Sequence, residues 1–516
     1  MKRSLALFVI LAAVSLSLPV SAGGAQTAGG LVQRGIQAFK DGNYSRAREI
    51  FAEAVRQDPS AANFSYLANA EARTGDLRAA IVHFQRSLQL GNDSADLHYN
   101  LGIAYAKEHQ LQKAVSEFRA ALSKQPQWMQ AKFSLARALV DVGRAREAVP
   151  YFEQLQKESP QNSEIWANLV RSQFEAGETQ QALKSVDKAT AALPNNSSLA
   201  LTLAQLAYDH GEFQKARYLL ENVTEMLPQD NSAKLLLAEV SMASGQSVEA
   251  LAVLKNMPDT AGAPGQVSYL KGKALLLAGK IEEAAPLLSA AVAANPSDVD
   301  YLLSKSDIEL AEGSYPAALA TLAKARKLRP ESAHIFYQMA LTYLFMDRYA
   351  EAAAACRKAV LLQPKVVRIH CLMGIIKLKQ QDLAAAEGSF RQAIALKPGA
   401  AIYHVGLAVA LFKGRKIPAA RQELDQAIQL EPQIAPAYFW RARVLALQGQ
   451  RTKAIADLET FTALDSDFAG AYQLIERLYR AEGDSQKASS AHSKYEALIA
   501  RRSLSMASLE QVLLNQ

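Results

Sequence analysis

The chain has 516 residues, of which 50% are hydrophobic and 21% are charged, and its formal net charge is +7. So much apolar sequence excludes intrinsic disorder for the body of the chain. Basic and acidic residues are interleaved, which predicts a mixed, solvated surface and no nucleic-acid-binding face.

The first 22 residues have the pattern of a secretory signal peptide. Two basic residues, Lys2 and Arg3, precede a mostly apolar run over residues 5–18, and we expect cleavage after Ala22. An uncleaved anchor is the alternative, although the run is shorter than the ~20 apolar residues of a membrane-spanning helix. The glycine-rich residues 23–30 predict a flexible lead-in. The mature chain is therefore expected to be periplasmic or secreted, without a transmembrane segment.

From residue 28 onwards the sequence repeats with a period of 34 residues. An alanine recurs in this register at Ala80, Ala114, Ala148, Ala182, Ala216, Ala250, Ala284, Ala318, Ala352, Ala386, Ala420, Ala454 and Ala488, preceded by Ala47. Proline marks the same period at Pro126, Pro160, Pro194, Pro228, Pro296, Pro330, Pro364, Pro398 and Pro432. Glycine stands five residues before the alanine in ten of fourteen units.

Each of these columns has a physical role in a hairpin of two helices. Glycine tolerates a positive φ and closes the first helix into a tight turn. Alanine lets two antiparallel helices approach closely, and proline ends the second helix. The sequence therefore predicts an all-α fold, with about fourteen such hairpins over residues 28–502.

The repeat pattern changes at one internal segment and at the C-terminus. Prolines and glycines cluster within residues 258–265, which predicts either a variant loop or a hinge between two arrays, 28–262 (repeats 1–7) and 263–502 (repeats 8–14). Residues 503–516 carry apolar residues in first-helix columns and predict a capping helix.

One unit carries most of a known family signature: Leu101, Gly102, Tyr105, Ala114, Phe118, Ala121 and Pro126. The chain therefore resembles the tetratricopeptide repeat family, although Arg415 stands where most units have their turn glycine. The resemblance implies a right-handed α-solenoid whose first helices line a concave groove that binds a protein or a peptide.

The groove columns implied by the resemblance hold polar and basic residues in the early units. They include Asn69, Asn100, Lys107, Arg137, Asn168 and Arg171. An asparagine amide both donates and accepts, which suits contact with an extended peptide backbone. Asn69 and Asn100 match two asparagines of the carboxylate clamp of chaperone-binding relatives, but Ser65, Gln130 and Ser134 stand at the clamp's cationic positions. The alternative is a set of solvated helix faces that bind nothing.

The later units place aromatic residues in the same columns: Tyr269, Tyr337, Phe345, Phe412 and Phe439. They predict either an apolar part of the groove or the packed core between repeats.

The histidines and cysteines are few. His370 and His404 share one column of successive repeats, but the ~8–10 Å between neighbouring helix axes is too far for two ligands of one zinc ion. Cys356 and Cys371 lie on consecutive predicted helices. They predict either a disulfide bridge or two small buried hydrophobic residues.

The repeats leave no room for a catalytic domain, and the chain lacks a phosphate-binding loop, zinc-type Cys/His spacing and a nucleophile elbow. We therefore expect no enzyme activity and no cofactor. The function favoured is an exported scaffold that binds protein partners, of unspecified identity, during assembly of a cell-envelope complex. The alternatives are a carbohydrate-binding or polysaccharide-export accessory protein and a regulatory subunit of an envelope enzyme.

Overall fold

A computed structural model describes residues 28–500, and all regular elements in that range are α-helices. The predicted signal peptide (1–22), most of the lead-in (23–30) and the predicted capping helix (503–516) lie outside the described residues. No helix within 28–500 is long and apolar enough to cross a membrane. The chain forms two compact units, and unit 1 ends at Gly245 where unit 2 begins with Gln246.

Unit 1 contains thirteen described helices: α1 (Ala28–Lys40), α2 (Tyr44–Gln57), α3 (Ala61–Thr74), α4 (Leu77–Gln89), α5 (Ala95–Lys107), α6 (Leu111–Lys124), α7 (Met129–Asp141), α8 (Ala145–Glu158), α9 (Ser163–Glu175), α10 (Thr179–Ala192), α11 (Ser197–Asp209), α12 (Phe213–Met226) and α13 (Asn231–Ala243). Unit 2 contains fifteen: α14 (Ser247–Leu254), α15 (Gln266–Leu277), α16 (Ile281–Ala294), α17 (Val299–Ala311), α18 (Tyr315–Leu328), α19 (Ala333–Phe345), α20 (Tyr349–Leu362), α21 (Val367–Lys379), α22 (Leu383–Leu396), α23 (Ala401–Lys413), α24 (Ile417–Leu430), α25 (Ala435–Leu447), α26 (Arg451–Leu464), α27 (Ala469–Ala481) and α28 (Ser485–Ala500).

Odd-numbered helices are the first helices of the predicted hairpins and even-numbered helices are the second. Within each unit, consecutive helices contact one another, and first helices from α1 to α13 and from α15 to α25 also contact the next first helix. The alanine column lies where the two helices of a hairpin meet, and it has no exposed surface from Ala47 to Ala454. The prediction of stacked helix hairpins, and hence of an all-α repeat fold, is confirmed.

The turn between the two helices of each hairpin requires a left-handed residue. The ten glycines of the turn column have φ between 73° and 89°. In the other four units, the same position is held at positive φ by His109 (57°), Asp347 (56°), Gln381 (61°) and Arg415 (61°). Thus the turn is present even where its glycine is not, and Arg415 itself adopts the strained conformation.

Gln381→Gly is expected to raise the free energy of unfolding by roughly 0.5–1 kcal/mol, since a side chain in the left-handed region costs more than the added flexibility of glycine. The Gln381 side chain is exposed, so little packing is lost. The measurement is the urea midpoint of the full chain. Gly177→Ala, at a turn with φ of 78°, is the opposite control and should be destabilising. A lower midpoint for Gln381→Gly would contradict the strain argument.

Proline ends the second helices as predicted. The residue before each column proline is a helix C-cap, and in Ser159, Gln363 and Lys397 its φ lies between −138° and −145°, as the proline ring requires. The carbonyl oxygen of the proline then accepts a hydrogen bond from a ring six residues later. The pairs are Trp166 Nε1 to Pro160 (2.9 Å), His370 Nε2 to Pro364 (2.7 Å), His404 Nε2 to Pro398 (3.3 Å) and Tyr438 Oη to Pro432 (3.0 Å). Each of these bonds attaches the loop that contains the proline to the first helix of the next repeat.

The segment between α14 and α15, where a loop or a hinge was predicted, contains buried residues and a local hydrogen bond. Met257 and Ala261 are buried, at 6% and 4% exposure. The Ala263 backbone N–H donates to Gln266 Oε1 at 2.9 Å. The choice between a variant loop and a hinge, and the boundary at 262/263, stay predictions.

Candidate functional site

The polar and basic residues predicted for the groove lie on successive first helices of unit 1. Asn69 is on α3, Asn100 and Lys107 are on α5, Arg137 is on α7, and Asn168 and Arg171 are on α9. Each of these helices contacts the next. Lys107 and Arg171 are exposed, and the other four side chains are half-buried.

Two of the three asparagines use part of their hydrogen-bonding capacity within their own helix. Asn69 Nδ2 donates to the Ser65 carbonyl at 2.9 Å, and Asn168 Nδ2 donates to the Glu164 carbonyl at 2.8 Å. Each amide thus retains its oxygen and one N–H for a partner. Each of these asparagines therefore offers a peptide backbone fewer N–H donors than its residue type suggests, because one N–H already bonds a carbonyl of its own helix.

Arg137 lies at the rim of a pocket formed by helices α5 to α9, with a volume of about 290 Å³. Its guanidinium carbon is 5.8 Å from the centre of the Phe133 ring, and its Nη1 is 3.8 Å from Glu164 Oε1. Apolar walls come from Ile103, Phe118, Phe133 and Leu155, and the polar rim includes Gln130, Ser134, Arg137, Asp141 and Glu164. Since the volume is at the lower end of small-molecule sites, the pocket suits one large apolar side chain.

Tyr99 also lines this pocket, and the centre of its ring lies 4.5 Å from that of the Trp128 ring, with the two planes tilted by 40°. Burial raises the pKa of Tyr99, and a hydrogen bond with Ser134 offsets part of this rise. Sequence reasoning named Gln130 and Ser134 only as departures from the carboxylate clamp. Phe133, which adjoins them in a groove column, was the sequence signal for an apolar pocket here.

The aromatic residues predicted for the later part of the groove differ in their surroundings. Phe439 is 6% exposed, with ring centres of Phe461 and Phe468 at 5.5 and 5.1 Å, so its place is in the core between repeats. Phe345 is half-buried and stacks on Tyr315 at 6.2 Å. A ligand therefore has little access to the Phe439 ring, because the ring is buried in the core between repeats.

Tyr337 and Phe412 are half-buried and each lies beneath an arginine. The guanidinium carbon of Arg368 is 5.2 Å from the centre of the Tyr337 ring, and that of Arg443 is 5.0 Å from the Phe412 ring. Both rings also pack against the core of unit 2.

An acidic side chain, Asp307 on α17, lies among basic ones on the first helices of unit 2. Gln338 Nε2 donates to its Oδ1 at 2.6 Å. Burial raises the pKa of the Asp307 carboxyl to about 6, and the Gln338 hydrogen bond and the charges of Arg368 and Lys273 offset only part of this rise.

The cysteines and the two histidines have structural partners. Cys356 and Cys371 are buried free thiols, and burial raises the pKa of each to about 12. Cys356 Sγ donates to the Ile369 carbonyl at 3.4 Å. His404 bonds Glu423 through Nδ1 at 2.7 Å, and this bond raises its pKa. Within residues 28–500, no group of three potential ligands could hold a metal ion.

Comparison with known proteins identifies the repeat. Family profiles described as tetratricopeptide repeat match residues 139–206, 207–274, 269–333, 309–374, 371–433 and 405–467, and further profiles of the same repeat match 68–108 and 95–128. No protein of curated function matches the chain. A similar solved structure is a crystal structure of the APC/C hetero-tetramer Cut9-Hcn1, at 15% identity and a TM-score of 0.45, covering 88% of this chain and 97% of that one. The profiles follow one another from residue 68 to residue 467 with a single short gap, and the chain belongs to the tetratricopeptide repeat family.

Proposed function

We propose that this protein is an exported scaffold that binds a partner protein on the first-helix face of unit 1, in assembly of a cell-envelope complex. Tetratricopeptide repeats typically mediate protein interactions and are typically non-catalytic. The proposal is supported above all by the pocket at Arg137, in which apolar walls lie directly below a charged and amide-bearing rim. Such a combination is typical of a site where a partner's side chain is anchored and its backbone is oriented.

Neighbouring residues extend the site in both directions along the stacked first helices. Asn100 and Lys107 lie on α5, before the pocket, while Asn168 and Arg171 lie on α9, after it. We infer that an extended segment of the partner crosses these helices and places one apolar side chain into the pocket. The amide oxygens of the asparagines would then accept from its backbone N–H groups.

The export part of the proposal is supported by the N-terminal sequence, with its basic start, apolar run and small residues before Gly23. The mass of the mature protein from an envelope fraction tests it. A chain that begins at Gly23 supports export, and a chain that retains residues 1–22 in the cytosol contradicts it.

Affinity capture from the native envelope fraction tests the binding site. Arg137→Glu places a negative charge at the pocket rim beside Glu164, and is expected to reduce captured partner by about tenfold or more. The matched control is Lys157→Glu on α8, an exposed second-helix position, which changes the charge equally and should leave capture unchanged.

Equal capture by both variants, with unchanged urea midpoints, would contradict a site at Arg137. The absence of any captured protein, for the unmodified chain as well, would count against the scaffold function itself.

A further inference from the structure

The last four first helices of unit 2 carry a row of basic side chains, one on each helix. The row consists of Lys379 on α21, Lys413 on α23, Arg443 on α25 and Arg477 on α27. Lys379 and Lys413 occupy one repeat column, and Arg443 and Arg477 occupy the column four residues earlier. Positions four residues apart lie one turn apart on the same helix face, so the four side chains share one face of the array.

Acidic residues are nearly absent from these helices. Neither Asp nor Glu occurs in α21, α23 or α25, and α27 has only Glu476. Glu476 is buried at 8% exposure and is engaged by Arg480 at 2.6 Å and His492 at 3.1 Å. The second helices between them carry the acidic residues, including Glu387 on α22 and Asp457 on α26. The second helices thus carry charges of both signs, whereas the charged residues of these first helices are almost all basic.

Lys413 lies between two like charges. Burial lowers its pKa, and the charges of Lys379 and then Arg443 lower it further, with no carboxylate among the causes. The guanidinium carbon of Arg443 is 4.2 Å from the centre of the Trp440 ring and 5.0 Å from that of Phe412. The aromatic rings hold this guanidinium in place without neutralising it.

No carboxylate of residues 28–500 lies within 4.0 Å of any of these four cations. Glu387, which lies close to the end of α23, is already paired with Lys416 at 2.7 Å and with Arg391 at 3.5 Å. By contrast, Arg441, two residues before Arg443, is paired with both Asp425 and Asp457. Lys379, Lys413 and Arg443 are half-buried and Arg477 is exposed. Like charges that lie together without counter-charges favour the binding of an external anion.

We propose that the row formed by Lys379, Lys413, Arg443 and Arg477 binds an extended acidic segment of a partner protein through its side-chain carboxylates. The row follows four successive first helices, of which α21 contacts α23 and α23 contacts α25. Helices in contact pack ~8–10 Å apart. An extended polyproline-type segment rises about 9 Å in three residues and presents every third side chain on one side. Acidic residues at every third position would therefore meet successive cations.

The spacing favours a peptide over a nucleic acid. A nucleic-acid duplex carries a phosphate on each strand about every 3.4 Å along its helix axis, so most of its phosphates would remain unpaired on this row. The inference extends the proposed scaffold function to a second surface, and it does not depend on the pocket at Arg137.

The test is fluorescence polarisation with the full chain and a labelled peptide of four Glu-Pro-Pro units, acetylated and amidated at its ends. We expect binding that weakens as salt is added. The same peptide with Gln in place of Glu should not bind. The double variant Lys379→Gln/Lys413→Gln should bind the acidic peptide about tenfold or more weakly. The control, Lys358→Gln/Lys453→Gln, removes the same charge from exposed second-helix positions on α20 and α26 and should bind normally.

Removing two adjacent like charges relieves repulsion, so the urea midpoint of the Lys379/Lys413 variant should not fall, and weaker binding then reports the site. Equal binding by both double variants, or no binding of the acidic peptide by the unmodified chain, would overturn the inference. A single-stranded oligonucleotide that binds in its place would overturn it too. If envelope capture through Arg137 persists in either case, the scaffold function stands without this second surface.

Discussion

Arg441→Met is expected to lower the free energy of unfolding of the C-terminal repeats by about 3–5 kcal/mol, because it leaves a buried carboxylate without its counter-charge. Arg441 Nε and Nη2 each donate to Asp457, at 2.8 and 2.7 Å, and Nη1 donates to Asp425 at 2.9 Å. Asp457 is 7% exposed. The measurement is hydrogen exchange of α25 and α26, since a repeat array need not unfold as a single unit.

Arg421→Met is the matched control for this experiment. Arg421 also faces Asp425, at 3.8 Å, but on an exposed surface, so its removal should cost less than about 1 kcal/mol. The double variant Arg441→Met/Asp457→Met removes both buried charges and should recover much of the stability. Equal losses for Arg441→Met and Arg421→Met would refute the role of burial.

Asp307→Asn is expected to stabilise unit 2 at neutral pH and to have little effect in acid. The folded pKa of Asp307, about 6, lies above its ordinary value of 3.8. The native state thus binds the proton more tightly than the unfolded state does, and this contribution to stability is fully present below pH 3.8 and is lost as the pH rises through 6. This difference between the two pKa values of Asp307 corresponds to a loss of at most about 3 kcal/mol in the free energy of unfolding at pH values above the folded pKa. Asparagine keeps the oxygen that accepts from Gln338 and carries no charge.

Urea unfolding of the two proteins at a series of pH values measures this effect. The gain for Asp307→Asn should appear between about pH 4 and pH 6 and remain constant above that range. Asp300→Asn, at an exposed position on the same helix, is the control and should give a small difference that varies little with pH. A gain for Asp307→Asn that is equally large in acid would rule out titration of Asp307 as its cause.

Most of the repeat fold could be predicted from the sequence, because each column carries a local backbone requirement. Alanine at the helix contact, proline at the helix end and glycine at the turn each limit the chain to one conformation. The turn at Gln381 could not be predicted from its own residue type. Its place was set by the repeats on either side, whose packing overcomes the local preference.

Less of the candidate sites could be predicted, because the chemistry there depends on which groups meet. The hydrogen bonds of Asn69 and Asn168 to their own helices depend on a choice of rotamer. Phe439 occupies a groove column but turns into the core. The row through Lys413 is not evident from the order of charges along the chain, because the first helices that carry it alternate in sequence with second helices that contain acidic residues. The row is evident only when the residues are compared by repeat column, because the first helices there are almost free of acidic residues.

The hydrogen bonds to the proline carbonyls bear on how the repeats have diverged. An indole in Trp166, an imidazole in His370 and a phenol in Tyr438 each donate to the carbonyl oxygen of the proline six residues earlier. This position requires a ring whose N–H or O–H lies within hydrogen-bonding distance of the proline carbonyl. Three dissimilar amino acids meet that requirement. The repeats can therefore differ in residue type at this position while the hydrogen bond to the proline carbonyl, and with it the backbone conformation, is kept.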